Sequence, residues 1–175
     1  MHLFLWEIPQ FHQPTARNPQ MLKFHFLLFL FLFTLSISAA EIIGKVIGVS
    51  DGDTITILDE LDKGRFRIRL FGIDCPEKSQ DFGQVAKKHL SSLIFGKIVK
   101  VKFREIDRYG RIVGKVSLDG IDINLEMLKA GLAWHYKRYD NTPEYAEAES
   151  QAKEKRIGLW QQPNPIPPWN FRRKN

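Results

Sequence analysis

The chain has 175 residues, 43% of them hydrophobic and 26% charged, with a formal net charge of +6. That composition excludes a mostly disordered chain and suits one globular domain rather than two. A single cysteine excludes an internal disulfide, and with only His89 and His135 beyond residue 40 it argues against a zinc site.

The first forty residues differ from the rest. From Met21, "MLKFHFLLFLFLFTLSISAA" places Lys23 ahead of an apolar run from Phe26 to Leu35, followed by the small residues Ser38, Ala39 and Ala40. This is the layout of a cleavable secretory signal peptide, and the run is shorter than the roughly 20 residues that span a bilayer. Residues 1–20 hold three prolines and no apolar period. Together these features predict translation from Met21 and a mature domain beginning near Glu41. The expected location is periplasmic or secreted, with membrane contact only through the signal peptide. Residues 1–40 carry a net +1, so a net +5 stays with the mature part. A basic exported domain points to an anionic partner: nucleic acid, phosphate or a membrane surface.

"IIGKVIGVSDGDTITIL" (42–58) predicts two strands around a turn at Asp51-Gly52. "DELDKG" (59–64) is a polar turn. "RFRIRLFGI" (65–73) predicts a third strand, with Phe66, Ile68 and Leu70 on one face and Arg65, Arg67 and Arg69 on the other. Residues 84–96 predict a helix with Ala86, Leu90, Leu93 and Ile94 as its apolar stripe and Gly96 at its end. Residues 97–107 alternate Val99, Val101 and Phe103 with Lys100, Lys102 and Arg104, and 111–120 form a fifth strand. A short helix is expected over 124–133, with Asn124 at its start, and a longer one over 142–160, capped by Thr142, opened by Pro143 and stopped by Gly158. The segment 161–175 holds four prolines and a basic end, and is expected to pack loosely. Five strands with three helices suit a small Greek-key barrel, the OB-fold, which recurrently binds oligonucleotides. The domain limits are therefore 1–40, 41–160 and 161–175.

Three segments concentrate charge at strand ends or turns. "DGDT" holds Asp51 and Asp53, "RLFGIDCPE" holds Arg69, Asp74 and Glu77 beside Cys75, and "DRYGR" holds Asp107, Arg108 and Arg111. A barrel can bring such turns to one rim. The chemistry that needs this set is phosphodiester cleavage. Arginine forks match phosphate oxygens. Carboxylates alone would repel the substrate, so a hard cation must bridge them, and oxygen ligands select Ca²⁺ or Mg²⁺. A further carboxylate can take a proton from water. Each segment alone also reads as ordinary turn or surface chemistry.

In this order and spacing the segments resemble the staphylococcal nuclease (thermonuclease) family. The resemblance runs from Glu41 to Trp160 and includes "GLAWHY" and a final helix ending in "GLW". It implies a Ca²⁺-dependent, sugar-nonspecific nuclease that cuts DNA and RNA with water and leaves 3′-phosphates. By motif match, Asp53, Asp74 and the carbonyl of Cys75 would hold Ca²⁺. Glu77 would activate the attacking water, and Arg69 and Arg111 would clamp the phosphate. Arg108, Tyr109 and Tyr136 are candidates for substrate contact, and Asp51 lies near the metal. Cys75 stands where the staphylococcal enzyme has Thr, and the segment after Glu77 is shorter than in that enzyme. A monomer without a stable protein partner is expected. The rival is a module of the same fold that holds nucleic acid without cutting it.

Overall fold

A computed structural model describes residues 41–174; the predicted signal peptide and its cleavage site lie outside these residues. Five long strands carry the fold: β1 (Glu41–Asp51), β2 (Thr54–Asp59), β3 (Arg65–Leu70), β5 (Ile98–Ile106) and β6 (Ile112–Leu118), with the two-residue β4 (Ile73–Asp74) between β3 and β5. They pair in the order β3-β2-β1-β5-β6, and a parallel β3–β6 pairing closes the sheet into a barrel. The alternating faces explain the core. Val46, Ile55, Ile57, Ile68, Leu70, Val99, Val101 and Val116 point inward and are buried. The arginines and lysines between them face out. Register shifts in β1 after Val46 and after Val49 bend that strand, as closure of a small barrel requires. The fold is the expected mainly β OB-fold.

Helix α1 (Gly83–Ile94) buries Ala86, Leu90 and Ile94, as its stripe predicts. After β6 the chain makes the short β7 (Ile121–Asp122) and α2 (Ile123–Lys129). Then come the two-residue β8 (Trp134–His135), which pairs with β4, and α3 (Pro143–Glu154).

Several boundaries differ from expectation. The third strand ends at Leu70, because Gly72 turns the chain at φ 76° before β4. α2 is capped by Asp122, whose side chain accepts from the Leu125 amide, and not by Asn124. Asn124 is buried, where it accepts from the Val116 amide and donates to the Phe71 carbonyl. Thr142 makes no side-chain cap on α3, since its hydroxyl donates to Asp140 at 2.7 Å. α3 stops at Glu154, and Gly158 instead opens a 3₁₀ turn to Gln161.

The largest correction lies in the tail. Pro168–Lys174 forms a fourth helix, α4, and it does not pack loosely. Pro168 is buried, and the Trp169 ring stacks on Tyr136 at 5.3 Å between centroids with 10° between planes. Gln80 Nε2 donates to the Ile166 carbonyl at 2.6 Å, and Gln162 Nε2 to Asp81 at 3.0 Å. These bonds strap the proline-rich segment to the loop before α1. Among the described residues, no helix is long and apolar enough to cross a membrane.

Candidate active site

The β1–β2 turn, the β3–β4 segment, the β5–β6 turn and Tyr136, just after β8, meet at one rim of the barrel, where the sequence analysis expected the three charged motifs to gather. Together with α4 they line an open cleft of about 990 Å³. Asp53, Arg69, Cys75, Glu77, Arg108, Tyr109, Arg111 and Tyr136 all border it, with Asp51, and Asp74 pairs with cleft arginines from beneath.

The register explains how the first carboxylate meets its arginine. Thr54 pairs with Arg69 across β2 and β3, so Asp53, one residue before Thr54, lies beside the Arg69 side chain. Asp53 is only 3% exposed. One of its oxygens is ion-paired with Arg69 and accepts from the Thr54 hydroxyl; the other accepts from the Cys75 amide at 2.8 Å. Asp74, 0% exposed, takes the other arm of the same guanidinium: Arg69 Nη2 lies 2.6 Å from its Oδ1. A guanidinium fork therefore joins two buried carboxylates, one from the β1–β2 turn and one from β4.

Cys75 sits between them but turns its sulfur away, with Sγ donating to the Gly52 carbonyl at 3.1 Å. Burial pushes the thiol well above its ordinary pKa, more than Arg69 pulls it down. The thiol is thus kept neutral, unlike a nucleophilic cysteine. Gly52 is required beside it. A Cβ there would come within 2.7 Å of the Ala86 Cβ and 2.8 Å of the Cys75 Cβ.

On the far wall, Arg111 is engaged by its own turn. Its Nε and Nη2 both lie 2.7 Å from Asp107 Oδ2. Burial opposes ionisation of Asp107, but the Arg111 and Tyr109 amides and the Arg111 guanidinium outweigh it and hold its carboxyl below the usual range. Arg108 lies over the Tyr109 ring at 4.8 Å and donates to its hydroxyl, and Tyr109 is largely exposed. Tyr136 is anchored through its amide to the Gly72 carbonyl, with Tyr139 against its edge at 5.0 Å. Behind it His135 is buried and bonded through Nε2 to Asp140 at 2.9 Å, a packing role rather than a cleft one.

Glu77 is more exposed than Asp53, Asp74 or Asp107, and its partner comes from a place sequence reasoning missed. Arg172, on α4, lies 2.5 Å from Glu77 Oε1, and 2.8 Å and 3.3 Å from the two oxygens of Asp74. Partial burial would loosen the Arg172 proton, but these two carboxylates outweigh it and hold the guanidinium charged. Trp169 was missed for the same reason. A legible signal existed: Pro168 can open a helix, and the six residues after it contain no breaker.

The chain is similar to known proteins along most of its described length. The sequence pattern of the family described as Staphylococcal nuclease homologue matches residues 67–162. An Escherichia coli protein named as an uncharacterized endonuclease is 41% identical over 148 residues, covering 84% of this chain and 95% of its own. A Haemophilus influenzae protein of the same description is 46% identical over 130 residues, 74% of this chain and 72% of its own. The staphylococcal-like nuclease CAN1 of Arabidopsis thaliana is 44% identical over 115 residues, 66% of this chain and 36% of its own.

Proposed function

The chain belongs to the staphylococcal nuclease family, and from that premise we propose that it is a nuclease that hydrolyses phosphodiester bonds of DNA and RNA. The observation that carries the reading is the shared guanidinium. Arg69 joins Asp53 to Asp74, with Glu77 and Arg111 bordering the same cleft.

The donor set fits a hard divalent cation such as Ca²⁺. Asp53 and Asp74 already converge on one positive charge, and the ligands available are oxygens. Among the described residues no group of three or more His, Cys, Asp or Glu side chains is arranged to hold a metal. Side chains would therefore supply two ligands, with the Cys75 carbonyl and water completing the shell. Such a site should bind weakly, on the order of 10⁻⁴ to 10⁻³ M. Bound there, the ion would draw a phosphate oxygen and lower the charge repulsion between substrate and carboxylates.

The rest is work for this chain's own groups. Arg69 and Arg111 exchange their carboxylate partners for the non-bridging oxygens of the phosphate and stabilise the charge that grows there. Glu77 accepts a proton from the attacking water. The water oxygen bonds to phosphorus, the bond from phosphorus to the 5′-oxygen breaks, that oxygen takes a proton from solvent as it leaves, and Glu77 returns its proton to solvent. The products carry a 3′-phosphate and a 5′-hydroxyl. Tyr109, Arg108 and Tyr136 contact the flanking nucleotides.

The test is incubation of the protein with denatured DNA and with RNA, in Ca²⁺ or in chelator. Fragments of both polymers that appear only with Ca²⁺, and become extendable by a polymerase only after phosphatase treatment, are the expected result. Intact polymer under every condition would refute the nuclease and leave the binding module. We further propose export by cleavage near Glu41. Intact mass of the exported protein should match a start there, and a species retaining Phe26–Leu35 would overturn this part.

A further inference from the structure

We propose that the C-terminal helix is an internal ligand of the carboxylate site: Arg172 holds Asp74 and Glu77 until a divalent cation displaces it. The inference rests on the reading of this cleft as a cation site.

Its basis is occupancy. The Arg172 guanidinium spans Asp74 and Glu77, with Nη2 at 2.8 Å from Asp74 Oδ2 and Nη1 at 2.5 Å from Glu77 Oε1. Asp74 is fully buried, and its remaining oxygen is taken by Arg69 at 2.6 Å. Both oxygens of Asp74 are then engaged and neither is exposed, and one oxygen of Glu77, Oε1, is held by the guanidinium. A cation that takes Asp74 through Oδ2, or a group that takes Glu77 through Oε1, therefore requires Arg172 to leave. The guanidinium meets the charge requirement of both carboxylates, as a divalent ion would.

The seat of α4 is built for release. Seven residues make two turns, too short to be stable alone, so the helix exists because it docks. Docking rests on the stack of Trp169 on Tyr136, the edge contact of Trp169 with Trp134 at 5.7 Å, and the Arg172 ion pairs. Side-chain exposure of 43% at Arg172 leaves water able to take over its donors. The linker 162–167, with prolines at 163, 165 and 167, is a stiff strap, so the helix moves as one piece. Glu77 and Asp74 lie 95 and 98 residues from Arg172, so the contact couples the end of the chain to its carboxylate site.

Ca²⁺ binding by titration calorimetry tests this, on the full chain and on Arg172→Ala, Arg172→Gln and Arg173→Ala. Arg173 carries the same charge on the same helix but bonds the Asn170 side chain, not a cleft carboxylate. If the helix holds the site nine-tenths of the time, freeing it tightens Ca²⁺ binding about tenfold. Both Arg172 variants should show that gain, and Arg173→Ala should stay within about twofold of the parent. In the parent, Ca²⁺ should also change tryptophan emission as Trp169 leaves Tyr136, a change lost in Trp169→Phe. Equal affinity in parent and Arg172 variants, or an equal gain in Arg173→Ala, overturns the internal ligand while leaving the cation site standing. Absence of Ca²⁺ binding in every variant overturns the cation site itself, and the internal ligand with it.

Discussion

Replacing Arg69 separates its charge from its shape. In Arg69→Ala, Asp53 and Asp74, 3% and 0% exposed, lose the guanidinium they share. Leaving buried charge without its partner costs about 3–5 kcal/mol. Arg172 still faces Asp74, and the Cys75 amide and Thr54 hydroxyl still serve Asp53, so the loss should fall to about 2–4 kcal/mol. For a domain of this size that is a fall in Tm of roughly 10 °C. Arg69→Lys restores one positive charge, but an ammonium cannot fork between a carboxylate in the β1–β2 turn and one on β4. It should recover about half of the lost stability. Cleavage should not recover with it: both variants should lose about 10² to 10³ in kcat, the scale of one transition-state donor. Added Ca²⁺ should stabilise Arg69→Ala more than the parent, because the freed carboxylates then gain a cation. The assays are thermal melts with and without Ca²⁺, and initial rates on denatured DNA. A lysine variant with more than a tenth of parental activity would refute the fork argument, and an alanine variant as stable as the parent would refute the buried pairing.

Three further outcomes follow from particular contacts. Asp140 accepts from the Thr142 hydroxyl and bonds His135, and although burial opposes ionisation these bonds hold its pKa below the ordinary value. A lowered folded pKa means stability that is present above the unfolded pKa of about 3.9 and is lost as pH falls further. Asp140→Asn should therefore cost about 2 kcal/mol at pH 7, and the gap to the parent should close below about pH 4 in acid titrations followed by circular dichroism. Cys75→Thr should keep most nuclease activity, because the thiol is buried, neutral and turned to the Gly52 carbonyl; a thiol reagent should label the native protein only on unfolding, and rapid native labelling would contradict the geometry. Gly52→Ala should destabilise by about 1–3 kcal/mol in denaturant melts, since its new methyl meets Ala86 and Cys75 at under 3 Å.

Local rules account for what could be read from the chain alone. Alternation of apolar and charged residues in "RFRIRL" and "KIVKVKF" sets two strands and their inward faces, because successive side chains of a strand point to opposite sides. Asp51-Gly52 marks a hairpin because both residues suit tight turns. Asp53, Arg69, Asp74, Glu77 and Arg111 stand out only together, as charges of both signs at strand ends and turns whose order and spacing resemble the family's motifs. Whatever depends on two distant residues meeting was closed to that reading. The fork of Arg69 needs the pairing of Thr54 with Arg69 across β2 and β3, and then the turn at Gly72 that brings Asp74 back. Thr142 reads as a cap until Asp140 competes for its hydroxyl, and Asn124 reads as a helix start until Phe71 and Val116 claim its amide. The tail is the clearest case. Two turns of helix that start on the last of four prolines have too few internal hydrogen bonds to form alone, so nothing within residues 161–175 makes α4 stable. Only the folded barrel does, by presenting Tyr136 to Trp169 and the buried charge of Asp74 to Arg172.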